Sequence, residues 1–217
     1  WILALIISTS SFALYVATDV FRNNLTVMRQ IEGKYVVSLK VVDEWMSDRW
    51  LLLAGFMFGT ANTTVGHLLG VPSVFFESTS SLVMVYIGFF LGGFTSGMGL
   101  LAIAAVIVLY LKFAPSLQYT LNPSDPDGNG GIKKLGDSLW FFGGLIGAVG
   151  VLVSIHMFGV TWTAMHKQYV QFVFLFWVSL PYVLAVSIVL IPGLAVRRQV
   201  SNFKAYKSGE LKQEKVK

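Results

Sequence analysis

Residues 81–111 run for 31 positions without one charged side chain. As a single helix this stretch is roughly 45 Å long, well beyond a bilayer's hydrocarbon core of roughly 30 Å. A helix apolar on every side belongs either in the core of a large protein or in lipid. With 55% hydrophobic and only 12% charged residues among 217, the chain has too few polar groups to wrap such a core in water. Soluble domains carry about 25% charged residues, and the mean hydropathy here is +0.68. Lipid is therefore the expected solvent for most of the surface. The long helix must tilt, protrude or bend near its glycines.

Four further apolar stretches accompany it, at 1–17, 50–69, 139–162 and 169–196. The first is near the lower length limit for a span. The last is interrupted by Pro181 and expected to end near Pro192. This pattern predicts an all-α, polytopic transmembrane bundle of about five spans, covering 1–196, followed by a basic tail at 197–217. The chain is apolar from Trp1 and lacks the charged start of a signal peptide. The expectation is that residues precede Trp1 or that the numbering follows a processed segment.

The placement of charge fixes an orientation. The net charge of +5 arises in the tail, where seven Lys/Arg stand against two Glu. Such a cluster directly after an apolar helix is a cytoplasmic anchor and argues against nucleic acid as a partner. With five alternating spans and a cytoplasmic tail, segments 18–49 and 112–138 also face inward, and fifteen of the sixteen basic residues lie on that side. The N-terminus is then outside. Trp45, Trp50, Trp140, Trp162 and Tyr169 fall near span ends, as interfacial aromatics do.

Segment 18–49 carries Phe21, Leu25, Met28, Tyr35, Leu39, Val42 and Met46 at alternating spacings of four and three, broken at Glu32. That pattern predicts an amphipathic helix on the membrane surface or against a partner helix. The β-branched residues after Gly33 leave a strand as the alternative. In the tail, Val200, Phe203 and Tyr206 predict one or two helical turns, followed by disorder.

The sharpest local motif is Asp125-Pro126-Asp127-Gly128-Asn129-Gly130-Gly131-Ile132. It matches the start of a calcium-binding EF-hand loop: Asp125, Asp127 and Asn129 supply oxygens at alternate positions, and Gly130 allows the sharp turn. The bidentate acid that should close the loop is replaced by Gly136, so any calcium site is weak. A polar turn is the other reading. The stretch 122–136 also resembles a loop in an uncharacterised prokaryotic family of polytopic membrane proteins. That family has a Pro-Asp-Gly-x-Gly-Gly-Leu-x-x-Leu-Gly pattern before an apolar helix, and Ile132 stands here in place of a leucine. The resemblance implies membership of a multispan family in a prokaryotic cell membrane, without an assigned reaction or a functional residue.

Glycines form a second signal. Gly88, Gly92, Gly93 and Gly97 on the third span, and Gly143, Gly147 and Gly150 on the fourth, have the small-residue spacing through which helices approach closely in lipid. The expectation is packing of spans three and four, with oligomer contacts or a pore lining as alternatives. Polar residues within spans are the third signal: Thr60, Asn62, Thr63, Thr64 and His67 in span two, Ser154 and His156 in span four. Unbonded polar groups in hydrocarbon cost roughly 2–7 kcal/mol each. They therefore read as interhelical hydrogen bonds, as an ion or proton route, or as a two-histidine metal site. Glu77 is either a solvated loop position or the rim of an entrance.

Cysteine is absent, which removes thiolate chemistry and disulfides. No nucleophile elbow, phosphate loop, zinc-protease helix or dinucleotide fingerprint is present. The leading expectation is a non-catalytic integral membrane subunit packed into a homo-oligomer or a larger membrane complex, with a channel-like pore as its extended form. The alternatives are a signalling or anchoring module working through 18–49 and the tail, and a small transporter with a midplane site near Pro181.

Overall fold

The computed structural model describes residues 4–6, 8–12, 15, 16, 19, 22, 44–70, 78–114, 133–158 and 168–214. Among these the architecture is all-helical, with no strand. Four long helices are defined: α1 (Asp48–Leu68), α2 (Thr79–Phe113), α3 (Lys133–His156) and α4 (Gln168–Glu214). The described positions among 4–22 are also helical.

Local chemistry sets the helix ends. Gly70 takes φ 69°, the left-handed conformation that stops α1, and its N–H donates to the His67 carbonyl at 2.9 Å. Ser78 opens α2 with a reciprocal cap. Its hydroxyl accepts from the Ser81 N–H at 3.2 Å, and its own N–H donates to Ser81 Oγ at 2.9 Å, so two backbone donors of the first turn are satisfied.

Three of these helices contain stretches long and apolar enough to cross a membrane: Thr79–Lys112, Gly136–His156 and Phe174–Tyr206. The outer surface has the matching inside-out character. Met57, Met84 and Leu194 are 63%, 69% and 61% exposed, a pattern that suits acyl chains and not water.

The helices associate as two antiparallel pairs, α1 with α2 and α3 with α4, and α2 also meets α4. Reciprocal glycines hold the first pair together. A Cβ added at Gly55 would lie 2.9 Å from the Phe94 ring, and one at Gly59 would lie 2.9 Å from the Phe90 ring. In return, a Cβ at Gly97 would come within 2.6 Å of Phe58 Cβ. The second pair uses Gly143 against Val189 and Gly150 against Pro181. The glycines therefore join α2 to α1 and α3 to α4, in place of the expected packing of the 81–111 and 139–162 stretches.

The pairs are sealed together at the end from which the C-terminal part of α4 projects. Ala105, Leu109, Tyr110 and Ile188 are buried there, with Leu139 and Phe142 beside them. Val200 and Phe203 pack on this cluster, which explains a departure from expectation. The helix is neither interrupted at Pro181 nor ended near Pro192, and it runs to Glu214, beyond the one or two tail turns expected before disorder. Val200 and Phe203 anchor its extension. Pro181 fits because it faces Gly150, which has no side chain to displace it. At 47 residues, α4 is about 70 Å long, more than twice the hydrocarbon thickness.

Candidate functional site

Two surfaces concentrate the polar residues of the bundle: a chamber between the helix pairs and the outward face of α1. The two pairs pack together at the tail end. At the far end Phe174, Leu69, Phe89 and Met157 pack together as a cap. Between the cap and the tail-end core lies a partly open space of about 470 Å³, bordered by all four helices and by Ile6 and Ser10 of the N-terminal segment.

Most of the lining is apolar. Three polar side chains share one wall, where Gly88, Gly92, Thr95, Ser96 and Gly99 occupy a single face of α2, with Asn62 of α1 beside them. The glycines lower that wall and leave the oxygens reachable. The two hydroxyls there have each given their one hydrogen to the backbone, and Asn62 has given one of its two. Ser96 Oγ donates to the Gly92 carbonyl at 2.7 Å. Thr95 Oγ1 donates to the Leu91 carbonyl at 3.0 Å. Asn62 Nδ2 donates to the Phe89 carbonyl at 2.7 Å. Because a carbonyl can only accept, this contact fixes the amide orientation and turns Asn62 Oδ1 into an acceptor. His156 lies on the opposite wall, on α3.

The outward face of α1 carries the rest of its polar stripe. Thr60, Thr64 and His67 are exposed, on the side of the helix away from the chamber. Thr63 returns its hydroxyl to the Gly59 carbonyl at 2.8 Å. His67 Nδ1 shares a 2.6 Å hydrogen bond with the Tyr86 hydroxyl of α2, and the two rings lie 6.0 Å apart.

The sequence groups these residues with Ser154 and His156, but the structure separates them. Asn62 and His67 bond across to α2, whereas Ser154 works within the other pair. Its proton goes to the Gly150 carbonyl at 2.8 Å. The 2.9 Å contact with Tyr182 Oη therefore has tyrosine as donor. His67 and His156 sit on different surfaces, so they do not converge on one ion. Among the described residues there is no cluster of three or more metal-ligating side chains. Asp125, Asp127 and Asn129 lie outside the described residues, as do Glu77 and most of 18–49.

The predicted glycines divide by role. Gly93, Gly97, Gly143 and Gly150 sit at helix contacts, whereas a Cβ at Gly92 or Gly147 would meet nothing within 4 Å. Gly88 and Gly92 border the chamber instead. Sequence reasoning passed over Gly55, Gly59 and Gly66, although Gly55 and Gly59 have the same four-residue spacing. It also missed Tyr86 and Tyr182, the partners of His67 and Ser154; a tyrosine inside a span is the available signal.

No protein family, curated protein or solved structure matches the chain.

Proposed function

We propose that this protein is a non-catalytic integral membrane subunit that associates with further copies of itself through the outward face of α1. The supporting observation is the exposure of Thr60, Thr64 and His67 on a helix whose neighbour is long and apolar enough to span a membrane. Polar side chains left against acyl chains are costly. A second copy offering the same face supplies partners for the Thr60 and Thr64 hydroxyls and for the second ring nitrogen of His67, whose Nδ1 is already bonded to Tyr86. In a closed ring of copies the stripe turns toward the axis, which is the channel-like form of this reading. Another membrane chain in place of a second copy gives the hetero-complex form.

The proposed threading has five crossings, in a prokaryotic cell membrane, with the N-terminus outside and the basic tail in the cytoplasm. It draws support from fifteen of sixteen basic residues falling on one side and from α1 lying alongside α2.

The chain has no cysteine, so single-cysteine variants report without background. Thr64→Cys in membranes treated with a short bifunctional maleimide should give dimers or larger species, whereas Val186→Cys on the outer face of α4 should stay monomeric. Equal yields from the two positions, or a monomeric mass for the purified particle, would remove the association reading. Single-channel recording on the reconstituted oligomer decides the channel-like form.

A second reading, a module that signals to a cytoplasmic partner, is favoured by one feature. The membrane part of α4 and its basic extension are one uninterrupted helix to Glu214. Deleting 197–217 should then abolish partner capture while leaving membrane insertion intact.

A further inference from the structure

The chamber has the dimensions and the chemistry of a ligand site, and its polar wall restricts the ligand. Its volume of about 470 Å³ falls within the roughly 300–1,000 Å³ of small-molecule sites. It is also about three times the roughly 150 Å³ of a dry apolar cavity that admits benzene. A space this apolar holds hydrocarbon in preference to water. It lies among helices long enough to cross a bilayer, where hydrocarbon chains are the abundant solute.

The wall built by α1 and α2 then selects among such chains. Ser96 and Thr95 have committed their single hydroxyl hydrogens to the Gly92 and Leu91 carbonyls, and Asn62 has committed one of its two amide hydrogens to the Phe89 carbonyl. Ser96 Oγ, Thr95 Oγ1 and Asn62 Oδ1 therefore face the chamber as acceptors. At this wall a carboxylate would meet three oxygen acceptors against the one remaining Asn62 N–H. A metal cation would find no carboxylate among these three groups to offset its dehydration. A hydroxyl matches, because it brings one proton and little desolvation cost.

We propose that this chamber binds a single-chain lipid whose polar end is a hydroxyl, with the hydrocarbon lying between α2, α3 and α4 and the hydroxyl donating to the Ser96, Thr95 and Asn62 oxygens. The proposal does not depend on how subunits associate, since the outward face of α1 takes no part in it.

The test uses the full chain in lipid nanodiscs and a diazirine-bearing hexadecanol as photoprobe. Label should fall on peptides spanning 88–103 and 145–157. Unlabelled hexadecanol should compete about tenfold better than its methyl ether, the value of one hydrogen bond. Gly92→Leu with Gly99→Leu fills the chamber, and a Cβ at either position meets nothing within 4 Å, so labelling should vanish while the unfolding temperature holds. If that pair unfolds the protein, Thr95→Val with Ser96→Ala serves instead: it should bring alcohol and ether to equal potency with the label still in place. Label confined to outer surfaces, or undiminished in a folded filled-chamber variant, overturns the site. Equal potency of alcohol and ether on the unmodified chain overturns the hydroxyl assignment.

Discussion

Asn62 Nδ2 lies 2.7 Å from the Phe89 carbonyl oxygen, a hydrogen bond that crosses from α1 to the backbone of α2. The Phe89 carbonyl sits in an otherwise ordinary helical ladder, so the bond adds a second acceptance and rescues no orphan group. Interhelical hydrogen bonds of this kind in membranes average about 0.6 kcal/mol and reach about 1.7. Asn62→Ala should therefore cost about 0.5–1.5 kcal/mol, measured by unfolding in mixed micelles, and leave the helical content unchanged.

The close glycines should matter more than the polar bond. Gly97→Val would drive a side chain into Phe58 and the Ala54 carbonyl, and overpacking of this type costs about 1–3 kcal/mol. Gly147→Ala, with nothing within 4 Å of the new carbon, should instead stabilise α3 by about 0.5–1 kcal/mol through helix propensity. The pair of variants, compared by thermal unfolding of the purified protein, should move in opposite directions.

Removing the apolar anchor should release the end of α4. Val200 and Phe203 pack on the tail-end core, and the helix beyond Pro192 has few other apolar contacts to hold it. Val200→Asp combined with Phe203→Asp should lower helical content by the length of that extension and expose 197–214 to protease, while the membrane part stays protected. A double variant that resists protease as the unmodified chain does would mean that the extension is helical on its own.

Tyr182→Phe removes the donor that joins α4 to Ser154, but Ser154 keeps its bond to Gly150. The loss should be small, about 0.5–1 kcal/mol. Combined with Ser154→Ala it should be less than additive, because both variants remove one shared contact. Full additivity in a double-mutant cycle would show that the hydroxyl pair carries no coupling.

The helical, lipid-facing character of the chain was legible because it follows from composition and uninterrupted apolar length, which residues 81–111 display without ambiguity. Helix pairing was less so. Gly93 and Gly97 announce a close approach, but four-residue spacing does not say which neighbour approaches; Gly55 and Gly59 supply the answer only once α1 is seen beside α2. Pro181 and Pro192 suggested breaks because sequence reasoning weighs the lost backbone bond and cannot see Gly150 opposite. The tail shows the same limit, since Val200 and Phe203 carry helical spacing without revealing the core that receives them. The chamber wall was hidden for a different reason. Gly88 and Gly92 read as packing residues and Thr95, Ser96 and Gly99 gave no signal, and only the assembled bundle shows that this face of α2 borders the chamber.

Because each antiparallel pair interlocks within itself, α1 with α2 and α3 with α4, the molecule is divisible. A break in the peptide anywhere within 115–132 severs neither the Gly97–Phe58 contact nor the Gly143–Val189 contact, so each half retains its own cooperative unit. Co-expressed as two fragments, the halves should insert independently and recombine in the bilayer. A fusion or reporter inserted at that junction should likewise be carried without loss of assembly.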